Sequence, residues 1–289
     1  MQRDLSGNIP APSMPRTCFL IGHPIGHSLS PVIHSAAYES LGMDWHYAVM
    51  DVLEENIDAV LAGIDGDKVV GINVTIPHKQ AVFRRVDSLT DTARAVGAVN
   101  TVYRRDGKLV GDNTDVAGFM SPLHLLADRD WSSVSALILG AGGAARAVAH
   151  ALTQVMGCSQ VAVSARREAT ARAIANVNVI DWDERQGAAE RAHLIVNTTP
   201  VGMNPQANAS PLPDTTAFSP RHIVYDLIYA PEETQLMALA SSQGAHTIGG
   251  LPMLIGQAAA AFRIWTGHDM PLEPVRKTLR DHQALRGNS

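Results

Sequence analysis

The sequence predicts an α/β fold of two units, each a mostly parallel β-sheet flanked by helices, with the last helices returning to the first unit. Three observations carry this expectation. Short apolar runs alternate with helix-patterned stretches along both halves, the rhythm of repeated βα units. One of them, Ser135-Ala136-Leu137-Ile138-Leu139, is a continuous apolar run, as a strand covered on both faces has to be. The chain has 289 residues, 46% hydrophobic and 18% charged, which is globular in composition and suggests two domains at about 100–200 residues each.

The elements follow in order. Residues 1–15 are Pro-rich and carry Arg3 and Asp4 without an apolar stretch, so they read as a flexible tail, not a signal peptide. Cys18-Phe19-Leu20-Ile21-Gly22 reads as a strand stopped by Gly22 and Pro24. Ser30 then stands as an N-cap with Pro31 at the first helical position, opening a helix to about residue 41. Residues 47–52 read as a strand, 54–62 as a helix and 69–74 as a strand broken by Thr75-Ile76-Pro77. Helical segments lead to a β-hairpin, residues 101–103 and 108–110, around Asp106-Gly107. A boundary falls between residues 115 and 127. After the 135–139 strand come a helix to about residue 155 and strands at 161–163, 194–196 and 223–225. A long helix at 254–266 and another after Pro271 lie outside the βα rhythm, so they are expected to pack on the first domain. The expected division is 1–15 tail, 16–117 with 251–289 as one domain, and 118–250 as the other.

Composition excludes several functions. Lys plus Arg number 23 against 28 Asp plus Glu, a net charge of −5, and no basic stripe suits a nucleic acid. No apolar run reaches the roughly 18 residues of a membrane span. Cys18 and Cys158 share no CxxC spacing and form no disulfide or metal framework; with that, a cytoplasmic setting is expected. His23, His27 and His34 match no usual metal spacing and read as structural or surface residues.

The second half opens with chemistry. Gly140-Ala141-Gly142-Gly143-Ala144-Ala145 carries G-x-G-x-x-A directly after the buried strand and at a helix start. The first glycine permits the tight turn, the second lets a pyrophosphate approach the backbone, and Ala145 lets helix and strand pack closely. The helix N-terminus offers N–H groups to the anion. This is the pattern of a Rossmann-like dinucleotide site. An NAD site usually has an acid about 20 residues on. Here the next strand ends in Ser164-Ala165-Arg166-Arg167, and two guanidiniums suit a 2′-phosphate, so NADP is favoured. Glu168, one residue further, keeps NAD open.

Polar residues also gather at element ends in the first half: Ser28 and Ser30, then Asn73, Thr75 and Lys79, then Asn100, then Asn113-Thr114-Asp115. Two hydroxyls at a helix start suit a carboxylate. A lysine within reach of a ketone can stabilise its developing charge and protonate it, with a carboxylate such as Asp115 orienting the ammonium.

Taken with residues 22–31, 73–79, 97–101, 113–115 and 140–145, the segments at 197–203, 226–229 and 253–257 give an ordered series. In this series the sequence resembles the shikimate dehydrogenase family, within the quinate/shikimate dehydrogenase superfamily, over residues 16–267. The resemblance implies reversible NADP-linked reduction of 3-dehydroshikimate to shikimate, a step of aromatic amino acid biosynthesis. It implies Lys79 and Asp115 as the catalytic pair. Ser28 and Ser30 would hold the substrate carboxylate; Asn73, Thr75, Asn100 and Gln257 would bond the ring hydroxyls and carboxylate, and Tyr229 would add a contact. Thr198, Met203 and Gly250 would flank the nicotinamide, with Leu227 beside them and Ala165, Arg166 and Arg167 around the adenosine. The chain departs from the family at Ala165-Arg166-Arg167, where Asn-Arg-Thr is usual, and at Leu251-Pro252, where a glycine is commoner. Ser30 in place of threonine favours shikimate over quinate. The competing readings are an NAD-linked quinate/shikimate dehydrogenase and a non-catalytic nicotinamide-nucleotide sensor. The expected partner is a small-molecule substrate, with no nucleic acid or membrane, the chain being a monomer or homodimer.

Overall fold

The computed structural model describes residues 15–26, 28–126 and 129–287. The expected tail up to residue 14, and His27, lie outside the described residues. The first half runs β1 (Arg16–Gly22), α1 (Ser30–Ser40), β2 (Trp45–Asp51), α2 (Ile57–Ala62), β3 (Val69–Val74), α3 (Lys79–Phe83), β4 (Ser88–Leu89), α4 (Asp91–Val96), β5 (Thr101–Arg105), β6 (Lys108–Asp112) and α5 (Asp115–Leu123). Its strands form one sheet in the order β2-β1-β3-β5-β6-β4. β1 runs parallel to β2 and β3, while β5 lies antiparallel to both β3 and β6. The sheet is mostly parallel, as expected, with β5 the one strand that runs against the other five. The reason is the hairpin: Asp106 and Gly107 both have positive φ, 52° and 76°, the geometry of a two-residue turn that reverses the chain at once.

The second half runs β7 (Ser135–Leu139), α6 (Gly143–His150), β8 (Gln160–Ser164), α7 (Glu168–Arg172), β9 (Asn178–Ile180), α8 (Arg185–Arg191), β10 (Leu194–Asn197), β11 (Ile223–Asp226), α9 (Gln235–Ser242) and β12 (His246–Ile248). These strands pair in parallel in the order β12-β11-β10-β7-β8-β9. The winding reverses between β7 and β10, and a crevice opens beyond the strand ends at such a switch point. The edge strands β9 and β12, and the two-residue β4, were not anticipated. The chain closes with α10 (Leu251–Thr266), which starts three residues before its expected position, and α11 (Leu272–Gly287).

Both final helices pack on the first half. Ala258, Ala261, Phe262, Trp265, Val275 and Leu279 share a core with Cys18, Ile33, Tyr38 and Tyr47. α5 packs against both α10 and α6, and its Val116, Phe119 and Leu123 enter the core under the second sheet. That helix is the seam that joins the two sheets. Burial pushes the Cys18 thiol up to about 12, an inert core position. Among the described residues no helix is long and apolar enough to cross a membrane.

The start of α1 corrects one expectation. Ser30 is the first helical residue, not the cap; the cap is Leu29, and the Ser28 hydroxyl accepts from the Ser30 N–H at 3.1 Å. The preference for a side-chain acceptor at a helix start is met from two positions upstream, which leaves the Ser30 side chain free to turn inward, where it is 4% exposed.

Candidate active site

Lys79 opens α3 and Asp115 opens α5, and their side chains meet: Lys79 Nζ donates to Asp115 Oδ2 at 2.5 Å, with 16% and 7% of the two side chains exposed. Local structure pins both. His78, 1% exposed, bonds the Val52 carbonyl through Nε2 at 2.6 Å and anchors the turn from β3 into α3. The Lys79 carbonyl accepts from the Val99 N–H at 3.0 Å. Asp115 donates its N–H to Asn113 Oδ1 at 3.1 Å, and its Oδ1 accepts from Asn100 Nδ2 at 2.8 Å. A carboxylate in the first turn of a helix also sits well in the helix dipole. Burial of an ion pair is sustained best when its remaining sites are hydrogen-bonded, and here the second carboxylate oxygen of Asp115 is held by Asn100.

From Asp115 the network continues inward. Asn100 Nδ2 also donates to Thr114 Oγ1 at 2.9 Å, and Asn100 Oδ1 accepts from the Thr114 N–H at 2.7 Å and from Thr101 Oγ1 at 3.0 Å. Asn73 Nδ2 donates to Thr101 Oγ1 at 3.0 Å and to the Asn100 carbonyl at 3.2 Å. Asn73, Asn100, Thr101, Thr114 and Asp115 are all buried. Thr101 and Thr114 lie in the polar segments 97–101 and 113–115 read from sequence, but neither has a role of its own there.

The other first-half residues fall around this net. Tyr229 reaches across from the second half to Ser28; burial raises its pKa and the Ser28 contact works the other way. Thr75 lies at the end of β3, its methyl group packed where a Cβ on Gly22 would stand. Gln257 lies on α10 beside Gly118 and donates Nε2 to the Leu254 carbonyl at 2.9 Å; no hydrogen bond among the described residues joins it to the Lys79 net.

The dinucleotide turn stands opposite. Gly140 has φ 105° and a Cβ there would meet Thr198 Oγ1 at 2.5 Å, so only glycine makes this turn. The Thr198 hydroxyl is held on the Leu139 carbonyl at 2.6 Å. Ala145 is fully buried against the sheet, while Gly142 faces open space, with nothing within 4 Å of where a Cβ would be. Ala141, Gly143 and Ala144 are half-buried around the start of α6. A Cβ on Gly143 would lie 3.1 Å from Lys79 Cδ, so the turn and the lysine face one another directly. The residues fit a dinucleotide: an open glycine cradle, unpaired helix N–H groups and, beyond β8, Ala165 followed by exposed Arg166 and Arg167. No hydrogen bond or ion pair among the described residues occupies either guanidinium. Glu168, by contrast, is engaged by Arg172 one turn along α7.

Deeper in the second half, Asp226 accepts from Asn197 Nδ2 at 3.0 Å, the Ile228 N–H at 3.1 Å and Thr234 Oγ1 at 2.7 Å. Burial pushes its carboxyl up to about 6 against these bonds. This knot ties the ends of β10 and β11, from which Leu227 donates its N–H to the Asn197 carbonyl at 3.0 Å. Gly250 caps α10 so tightly that a Cβ would stand 2.1 Å from the Leu227 carbonyl oxygen. Met203 is exposed. Of the histidines, His23 pairs with Asp51 at 2.6 Å on the surface and His34 is buried in the core.

A glycine turn at the switch point of one sheet, faced by a lysine–carboxylate pair at the strand ends of another, defines the class of two-domain dinucleotide-dependent oxidoreductases. Comparison with known proteins narrows the class. Residues 20–102 match the model of the shikimate dehydrogenase substrate binding domain, and residues 250–280 that of the shikimate 5′-dehydrogenase C-terminal domain. The chain belongs to the shikimate dehydrogenase family. A shikimate dehydrogenase (NADP(+)) of Microcystis aeruginosa is 42% identical over 272 residues, 90% of this chain and 94% of that one. Among solved structures, a shikimate dehydrogenase in complex with NADP+ superposes with a TM-score of 0.85 at 36% identity, covering 93% of this chain and 96% of the other. The Thermus thermophilus enzyme in complex with NADP(H) and shikimate gives 0.82 at 36% identity, covering 92% and 99%.

Proposed function

We propose that this chain catalyses the reversible NADP-linked interconversion of 3-dehydroshikimate and shikimate, with Lys79 and Asp115 as its catalytic pair. The observation that carries this reading is the buried 2.5 Å ion pair set against the dinucleotide turn. A bound nicotinamide would supply the hydride chemistry at the ring carbon. The chain's own residues handle the charge that results. The Lys79 ammonium stabilises the oxygen on which negative charge develops and holds the proton at Nζ. Asp115, fixed by Asn100 and the N-terminus of α5, aims that ammonium. Ser28, Ser30 and Tyr229 receive the substrate carboxylate, while Asn73, Thr75, Asn100 and Gln257 receive the ring hydroxyls. Residues 16–117 with 251–289 thus form the substrate domain, and 118–250 the nucleotide domain, with Ala165, Arg166 and Arg167 around the adenosine and Thr198, Met203, Leu227 and Gly250 beside the nicotinamide.

The Glu168–Arg172 pair supports NADP over NAD, because it occupies the carboxylate nearest the Arg pair. The Lys79–Asp115 pair speaks against a non-catalytic sensor, which has no use for a buried ammonium. The same reading takes the chain as a cytoplasmic monomer or homodimer acting on a free small molecule. The test is steady-state kinetics on shikimate and quinate with both nucleotides. Shikimate with NADP+ is expected to give the highest kcat/KM; a higher value with NAD+ or with quinate overturns the assignment.

A further inference from the structure

Tyr47 belongs to none of the segments that carry the family resemblance, yet its hydroxyl joins the buried polar net at Asn73. It is the third residue of β2 and 2% exposed. Its hydroxyl donates to Asn73 Oδ1 at 2.8 Å, and the Ser30 side chain interacts with the same hydroxyl. The partners of Asn73 decide which way its amide faces. Nδ2 points at the Asn100 carbonyl and Thr101 Oγ1; flipped, the amide would set its oxygen against the Asn100 carbonyl, acceptor against acceptor. An amide oxygen has two lone pairs, so Asn73 Oδ1 keeps one for a hydroxyl outside the net.

The ring of Tyr47 is also fixed. It stacks on His34 with centroids 4.2 Å apart and planes 2° from parallel, and Trp265 closes on both rings. Neither His34 nitrogen has a hydrogen-bond partner among the described residues. Burial drives its pKa down to about 3, so the imidazole is a neutral, flat packing plate. The phenol is held by packing at its ring and by hydrogen bonding at its oxygen.

We propose that Tyr47 is a positioning residue for the substrate, its hydroxyl joining Ser30 at the carboxylate end of the site to Asn73 at the ring-hydroxyl end. The proposal deepens the functional reading above and rests on it. A hydroxylated cyclohexene carboxylate presents both ends at a fixed spacing, and one side chain that touches both receivers sets that spacing in the protein.

Wild-type turnover of shikimate, measured first, reports on the functional reading alone; its absence overturns both. With turnover established, Tyr47→Phe keeps the ring and removes one oxygen. The expected result is a KM for shikimate raised about tenfold, with kcat within about twofold and KM for NADP+ unchanged. His34→Phe preserves the plate, and it should leave the shikimate KM within about twofold. An unmoved shikimate KM in Tyr47→Phe overturns the proposal. So does an equal rise in His34→Phe, which would assign the effect to packing. If Tyr47→Phe fails to fold, the hydroxyl is structural and the proposal falls as well.

Discussion

The two halves of the molecule prepare for a ligand in opposite ways. In the first half the functional side chains are bonded to one another before any ligand arrives: Lys79 to Asp115, Asp115 to Asn100, Asn100 to Thr114, and Asn73 to Tyr47 and Thr101. In the second half the corresponding groups are left open. Gly142 faces empty space, and Arg166 and Arg167 are exposed and have no hydrogen bond or ion pair among the described residues. The difference follows from what each half recognises. A small ring with several hydroxyls demands donors and acceptors in fixed positions, and a closed net supplies rigidity. A phosphate is met by backbone N–H groups and mobile guanidiniums, whose planar forks need only reach it.

The sharpest way to break this comparison is to cut the closed net at its charged link. Lys79→Ala should lower kcat by about 10²–10⁴-fold. Stability should also fall, because the Asp115 charge stays buried without its partner. The dissociation constant for NADP+, measured by calorimetry, should stay put, since Lys79 meets the turn only through its aliphatic stem. A variant with normal kcat would remove Lys79 from the chemistry.

Cutting the open half should do the reverse. Replacing Arg166 and Arg167 together with Ala should raise the KM for NADP+ roughly 10–100-fold and leave that for NAD+ nearly unchanged. The melting temperature should not move, because neither guanidinium bonds any described part of the protein. Equal losses for both nucleotides would mean that the pair reads the pyrophosphate and not the 2′-phosphate.

The same contrast explains what was legible in the sequence. Strands β1, β3, β7, β10 and β11 are buried, and their apolar runs announce them. Asp106-Gly107 announced the hairpin, and the spacing of G-x-G-x-x-A placed the dinucleotide turn. Groups that act through the backbone or lie exposed at an element end are local, and local features can be read. The closed net is not local. Lys79 and Asp115 are 36 positions apart, and only the family resemblance paired them in the sequence; Tyr47 and Asn73 are 26 apart, and only the fold says that they meet. The short strands β4, β9 and β12 are edge or near-edge pieces whose pairing, not composition, makes them strands. The Glu168–Arg172 pair is the exception that could have been read: an acid four positions before an arginine on a helix is a standard pairing distance.

The smallest effect separates the halves by proton uptake. His34, in the first half, takes a proton near 6.5 when unfolded and only at about 3 in the fold. Its contribution is therefore complete above the unfolded value and is lost as pH falls through that window. Asp226, in the second half, has the opposite sign: its carboxyl binds a proton at about 6 in the fold and near 3.8 unfolded, so acidification through that interval adds stability. Between about pH 7.5 and about pH 5, His34 should remove stability and Asp226 should return it, each on the order of 1–2 kcal/mol. Global stability should then shift little, while the balance between the halves shifts more. Hydrogen exchange at the two pH values, corrected for the intrinsic rate, is the measurement. Amides of α1 and β2 should lose protection at the lower pH, and those of β10 and β11 should hold or gain it. His34→Phe should abolish the first change and leave the second. A uniform loss in both halves would mean that they open as one cooperative unit, and that the closed net of the first is no more independent than the open cradle of the second.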